Sequence, residues 1–195
     1  MSKLIASVKT AAMVAVVASA TACVSISEVS GPYKAGGGTY TLDRSWNDIT
    51  PVTGHLKEVR LLTLDGPGLN SLYLSSGLKE GQHLARPNSR REKTTPAWRA
   101  DMGILEQVEF VKESVEAYGY NDVTTSSPRP VNASGHRGVR FDLAAVTTAG
   151  LRIKGYGQLV TKDGQAYVAI YLAPEEHFYA DSQANALSAM DSLTF

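Results

Sequence analysis

Three runs, Gly138-Val-Arg-Phe-Asp-Leu-Ala-Ala-Val146, Leu151-Arg-Ile-Lys-Gly-Tyr-Gly-Gln-Leu-Val160 and Ala166-Tyr-Val-Ala-Ile-Tyr-Leu172, set the architecture of this chain. Val139, Phe141 and Leu143 share one side of the first run, Leu151, Ile153 and Leu159 one side of the second, and Val168, Ile170 and Leu172 one side of the third. A period of two is that of a β-strand. Asp163-Gly164 separates the last two runs, and Asp-Gly between alternating segments is the chemistry of a two-residue hairpin turn. Such a turn pairs Leu159 with Val168 and Tyr156 with Tyr171. A three-residue loop at 148–150 then puts Asp142, Tyr156 and Tyr171 in one cross-strand row. Gly155 and Gly157 fall on the apolar side, where Phe141 and Leu143 fill the space they leave.

Working outward from this meander, Val123 to Val131 reads as a further extended segment broken by prolines. Before it, Leu105, Val108, Val111, Val115 and Tyr118 recur at spacings of three and four, which predicts a helix over 101–118. Gly119 stands where helices end in a left-handed residue. Residues 58–64 and 69–75 are strand-like and flank Asp65-Gly66-Pro67-Gly68, so they read as a hairpin. Thr39 to Leu42 alternates as an opening strand would. The polar, basic segment 79–100, with Arg86, Arg90, Arg91 and Lys93, reads as a long loop. Pro174-Glu175-Glu176 is expected to open a closing helix, since proline suits a first turn and acids favour the positive end of the helix dipole. Its buried stripe is Tyr179, Ala186, Leu187, Met190 and Leu193. The fold class that follows is α+β, an antiparallel sheet flanked by helices, in one domain over 39–195.

The N-terminus carries an address. Lys3 and Lys9 precede the small, apolar run Thr10 to Ala20, and Ala20-Thr21-Ala22-Cys23 follows. A basic head, an apolar stretch of roughly 7–15 residues and a small-x-small site define a secretory signal peptide, here residues 1–22. The run falls short of the about 20 residues that cross a bilayer. Cys23 is the one cysteine of the chain. Its setting resembles a lipobox, in which the thiol takes a diacylglyceryl group, cleavage follows before the cysteine, and the new amine is acylated; the simpler reading is ordinary cleavage after Ala22, which leaves Cys23 a free thiol. Each buried methylene contributes about 0.8 kcal/mol and a single acyl chain binds only marginally, whereas several chains anchor stably. Val24, rather than Asp, follows the cysteine and points to the outer membrane, with the protein facing the periplasm. Residues 23–38, rich in Gly and Ser, read as the lipidated cysteine and a flexible tether, roughly 20 Å long on average.

Several stretches together resemble the PsbP-like family of α/β/α sandwiches: Val131-Asn-Ala-Ser-Gly-His-Arg-Gly-Val-Arg-Phe141, the Asp163-Gly164 hairpin, the strand ending Ala173-Pro174, and the closing Met190-Asp-Ser-Leu-Thr-Phe195. The family includes an extrinsic photosystem subunit, a Ran-binding nuclear-transport factor and many exported bacterial proteins. The region 44–100 matches it less well. The resemblance implies a sheet between helices and a binding or assembly role. It implies no catalytic residue, because the family shares no active site.

The remaining chemistry bounds the function. The whole chain carries no formal net charge, and loss of Lys3 and Lys9 leaves the mature form slightly acidic, unlike a nucleic-acid binder. His55, His83, His136 and His177 show no ligand spacing, so no metal and no cofactor is expected. No Gly-x-Ser-x-Gly elbow occurs, and lipidation consumes the thiol. Arg140, Asp142, Tyr156 and Tyr171 fall on the meander face opposite the apolar one. Tyrosines flanked by cations there are candidates for binding an acidic or aromatic group; the competing reading is that a helix packs over them. The basic loop is a candidate for contact with anionic lipid, against the simpler reading of a solvated surface. The expectation is a membrane-anchored, non-enzymatic module that binds an envelope protein or small ligand. The alternatives are an envelope enzyme with a site of scattered residues and a passive structural lipoprotein.

Overall fold

The structure, a computed structural model, describes residues 26–88 and 94–195. The expected signal peptide, Cys23, and Arg90, Arg91 and Lys93 of the basic loop lie outside the described residues. The alternating runs become β6 (His136–Val146), β7 (Arg152–Lys162) and β8 (Gln165–Pro174), preceded by β5 (Asn121–Ala133). Upstream lie β1 (Ser27–Ala35), β2 (Gly38–Asp48), the single turn α1 (Thr50–Thr53), β3 (Val59–Thr63) and β4 (Ser71–Ser75). Two longer helices, α2 (Ile104–Ala117) and α3 (Phe178–Asp191), complete the domain. All eight strands belong to one sheet, in the order β1-β2-β3-β4-β8-β7-β6-β5, with every neighbouring pair antiparallel. The chain leaves the sheet after β4, passes through α2, and re-enters at the far edge as β5. The meander then returns inward until β8 meets β4. Asp163 and Gly164 both have positive φ (51° and 75°), as a two-residue turn between right-twisted strands requires.

This topology buries β8 on both faces; every residue from Ala166 to Pro174 is buried. Val168, Ile170 and Leu172 join Phe141, Leu143 and Ile153 beneath Val108, Phe110, Val111 and Val115 of α2. On the other face Tyr167, Ala169, Tyr171 and Ala173 lie with Ala186, Ala189 and Met190 of α3 and with Tyr40, Leu42 and Trp46 of β2. The result is an α/β/α sandwich in which the β1–β2 hairpin helps α3 to cover one side. Within α2 the burial differs from the stripe read in the sequence. Phe110 is buried, whereas Leu105 stands 80% exposed in the first turn.

Two expectations are corrected, and a third is refined. Residues 27–35 are a strand, not a tether: β1 pairs with β2 from Ser27↔Asp48 to Ala35↔Gly38. Gly31 (φ +67°) sits at a register shift after Val29, and an edge strand tolerates Pro32, whose missing N–H leaves no ladder bond unmade inside the sheet. The folded domain therefore begins by Ser27, not at 39. Pro174 does not open a helix. It pairs with Ile153 as the last residue of β8, the Glu175 amide still donates to the Arg152 carbonyl (2.9 Å), and α3 starts only at Phe178. The described residues of segment 79–100 (79–88 and 94–100) are irregular, as expected of a long loop; Arg86 is exposed, while a few apolar residues of the segment reach the core. Leu84, Ala85 and Trp98 are buried, and the Trp98 indole N–H donates to the Gly164 carbonyl at 3.0 Å.

Candidate functional site

Register places the residues singled out from the sequence as the hairpin arithmetic requires. Asp142 pairs with Tyr156 and Tyr156 with Tyr171. The row continues at both ends, to Ser126 on β5 and through Leu72 and Leu62 to Asp48 and Ser27. α3 lies across its middle and divides the four candidates. Tyr171 is fully buried, with its hydroxyl 2.7 Å from Ser182 Oγ in the first half of α3. Arg140 is 8% exposed; its Nε donates to Gln158 Oε1 (2.9 Å) and its Nη2 to Asp191 Oδ1 (2.5 Å) at the last residue of α3. Gln158 Nε2 in turn donates to the Met190 carbonyl (2.9 Å). Tyr171 and Arg140 thus fasten the two ends of the helix to the sheet and face no open space, which corrects the expectation that they contact a ligand.

Asp142 and Tyr156 remain at the margin. Beyond the first turn of α3 the β5–β6 side of the sheet is uncovered, and a cleft of about 290 Å³ opens there, lined chiefly by Thr124, Ser126, Asp142, Lys154, Tyr156 and Tyr179. Its charges are fixed by local geometry. The register shift between Ser126 and Arg129, with Ser127 at φ +53°, swings Arg129 sideways so that Nη1 donates to Asp142 Oδ1 (2.9 Å). The Arg129 guanidinium then lies 5.9 Å from the centre of the Tyr156 ring, within cation–π range. Tyr179 Oη donates to Tyr156 Oη (2.6 Å), which donates to Gln183 Oε1 (3.3 Å). Lys154 Nζ lies 2.7 Å and Arg152 Nε 3.2 Å from the Glu175 carboxylate. Those two cations, the Lys154 bond first, hold the Glu175 carboxyl below its usual range.

Burial holds the Tyr171 and Tyr179 phenols neutral. Desolvation lifts the Tyr171 hydroxyl to about 12, and burial followed by the bond to Tyr156 lifts Tyr179 further. Near neutrality both are donors and acceptors rather than phenolate nucleophiles. The cleft therefore offers an aromatic face, a guanidinium–carboxylate pair and the exposed Thr124 and Ser126 hydroxyls, a set suited to recognising a polar ligand. Arg129 and Tyr179 escaped the sequence reading. One reaches the site through a β-bulge and the other through the placement of α3; the only hint was Pro128-Arg129-Pro130, whose prolines interrupt regular pairing.

The histidines do not converge. Among the described residues no three His, Cys, Asp or Glu side chains are grouped to hold a metal ion. His83 Nδ1 lies 2.8 Å from the Pro96 carbonyl, His136 packs edge-on to Phe195, and His177 is exposed. His55 differs. It packs edge-on against both Tyr73 and Tyr118, which stack on one another at 4.5 Å, beside a cleft of about 420 Å³ that includes Arg86. Desolvation first, and the Arg86 charge second, lower its affinity for a proton. A histidine whose folded pKa is depressed takes up its proton more readily in the unfolded chain, so stability rises with pH through this window. The domain is expected to lose stability as pH falls below about 6.5, and His55→Phe to flatten that slope. Urea midpoints at pH 7.5 and 5.5 measure both, and an unchanged slope in the variant would refute the assignment.

The sequence matches no family model, and no curated protein matches it. Solved structures do match. The solution structure of the cyanobacterial PsbP protein (CyanoP) of Synechocystis sp. superposes with a TM-score of 0.55 at 12% identity, over 90% of this chain and 95% of that one. The fold is PsbP-like. The Ran-binding protein Mog1p of Saccharomyces cerevisiae has it too (TM-score 0.51, 12% identity, 87% and 95% covered). Coverage on this scale takes the PsbP-like fold beyond the meander, across the 44–100 region where the sequence resemblance is thin. At this level of identity the likeness concerns the fold and transfers no site.

Proposed function

We propose that this protein is a lipid-anchored module of the bacterial cell envelope that works by binding, and that its recognition site is the cleft bounded by Asp142, Tyr156 and Tyr179. Acylation of Cys23 after removal of residues 1–22 supplies the anchor, and Val24 directs the protein to the outer membrane, facing the periplasm. The reading rests above all on one observation. Next to a helix-covered sheet lies an open cleft whose charged groups are already paired, whose two tyrosine hydroxyls are bonded to one another, and whose rim carries the exposed Thr124 and Ser126. Pre-paired, rigid polar groups suit recognition, since little ordering remains to be done on binding. The PsbP-like fold, found in proteins as different as CyanoP and the Ran-binding Mog1p, is compatible with a non-enzymatic binding role.

Two measurements test this. Intact mass of the membrane-extracted protein is expected to show a chain starting at an acylated Cys23; an unmodified residue 23 removes the anchor. A photo-crosslinker at Ser126 is expected to capture one discrete envelope partner in cells. Thr124→Trp, a change at an exposed strand position that fills the cleft, is expected to abolish the adduct while shifting stability by no more than about 0.5 kcal/mol. Capture that persists with the cleft filled, or no adduct from the parent protein, rejects the cleft as the recognition site.

A further inference from the structure

We infer that the corner of the domain where β1 begins is seated directly on the bilayer, so that the domain is held in one orientation rather than lifted clear on a flexible stalk. The inference rests on the acylation of Cys23. Only four peptide steps join Cys23 to Ser27, and fully extended they reach about 14 Å at most. Ser27 is already paired with Asp48 and is part of the sheet. Nothing longer than these few residues can separate the folded body from the lipid.

The surface at this corner fits such a position. Five large apolar side chains are exposed among the described residues, and two of them flank the Ser27–Asp48 pair. Ile26, 55% exposed, lies one residue outside it, and Val52, 49% exposed, follows four residues after Asp48 on α1. Of the acids here, Glu28 follows Ser27 and is exposed, and Asp48 belongs to the pair, its carboxylate occupied. Oδ2 accepts from the Tyr33 hydroxyl (2.7 Å) and Oδ1 from the Thr50 amide (3.0 Å). The corner therefore presents apolar side chains beside one internally bonded carboxylate and one exposed acid, Glu28, a composition that enters the headgroup region through apolar contact and gains nothing from anionic lipid.

A second exposed apolar pair, Ile104 and Leu105 (63% and 80%), lies at the other end of the sheet. Trp98 and Ala100, just before α2, pack at Gly164, in the turn that opens β8. Tyr171, in the register row that leads to Ser27, is seven residues further along β8, roughly 23 Å at a strand's rise per residue. With the Ser27 corner on the lipid, Leu105 faces away from it.

Acylation occupies the one native thiol, so a single introduced cysteine can be labelled uniquely. In lipidated protein reconstituted into neutral phosphatidylcholine vesicles, a fluorophore on Val52→Cys is expected to be quenched at least about twofold more by brominated acyl chains than one on Leu105→Cys, as for a group within some 5–10 Å of the headgroup–acyl boundary. Inserting about twelve Gly/Ser residues after Val24 lengthens the connection by roughly 20 Å and is expected to erase the difference. Equal quenching at the two positions, with intact mass showing acylated Cys23, overturns the seating while leaving the anchor intact. An unmodified Cys23 overturns both.

Discussion

Gly155→Ala is expected to prevent the domain from folding, whereas Gly157→Ala two residues away is expected to be tolerated at moderate cost. Both glycines lie on β7, on the face covered by α2, and both have β-region backbones that alanine can adopt, so the difference is one of space. A Cβ at Gly155 would overlap the Tyr171 carbonyl oxygen and come within 2.8 Å of its carbon and 3.1 Å of Leu172 Cα. These atoms belong to the backbone of β8, the central strand, buried on both faces and hydrogen-bonded on both edges. They cannot move without breaking the β7–β8 or β4–β8 pairing. A Cβ at Gly157 would instead meet the Phe141 ring at 2.5 Å. That is overpacking against a side chain, which costs about 1–3 kcal/mol. Gly155→Ala is expected to exceed about 4 kcal/mol, beyond the usual range for a single substitution. The two mechanisms separate in a double variant: Phe141→Leu should recover part of the Gly157→Ala loss through coupling of neighbours and none of the Gly155→Ala loss. Denaturation followed by circular dichroism reads the parent, the three single variants and the two doubles. A folded Gly155→Ala domain with the parent midpoint would show that β7 and β8 do not approach as closely as described.

Trp98→Ala is expected to destabilise by about 3–5 kcal/mol, the range for deleting a fully buried aromatic side chain. Trp98 is wholly buried although it lies in an irregular segment. Its ring meets Phe110 of α2 edge-on at 5.9 Å, and its N–H satisfies the carbonyl of Gly164 in the β7–β8 turn. The backbone around it is also fixed: the Trp98 amide donates to Gln82 O (2.8 Å) and Gly81 donates to Trp98 O (2.9 Å). One side chain thus joins the long loop, the crossover helix and the hairpin turn. Trp98→Phe keeps most of the volume and loses the hydrogen bond, so about 1 kcal/mol is expected. Urea unfolding of both variants gives the ratio. A loss below about 1 kcal/mol for Trp98→Ala would mean that the loop is not part of the core.

What could be read from the chain beforehand follows from the range of the forces involved. The meander was legible because alternation and an Asp-Gly turn are local, and they set the register to the residue, including the Asp142–Tyr156–Tyr171 row. β1 was not legible. Ser-Gly-Pro-Tyr-Lys-Ala has the composition of a linker, and only its partner β2 makes it a strand. Pro174-Glu175-Glu176 carried a helix-start signal that lost to the sheet, because extending the β7–β8 pairing through Ile153↔Pro174 satisfies backbone groups that a helix there would abandon. The candidate site divided for the same reason. Register placed Arg140 and Tyr171 on the correct face, but which part of that face α3 would cover depends on long-range packing of Ala186, Ala189 and Met190. The part left open was completed by Arg129, brought in by a bulge that the sequence marks only with two prolines.

Both outermost strands carry devices that stop a sheet from growing. β1 has Gly31 and Pro32 at a shift in register, and β5 has Pro128, Pro130, two such shifts and positive φ at Asp122 and Ser127. Neither margin presents the long, flat ladder of free amides and carbonyls on which another molecule could add a strand. Copies of this domain can accordingly be packed shoulder to shoulder at high density without zipping into fibrils. Solutions concentrated to the millimolar range should stay free of thioflavin-positive material.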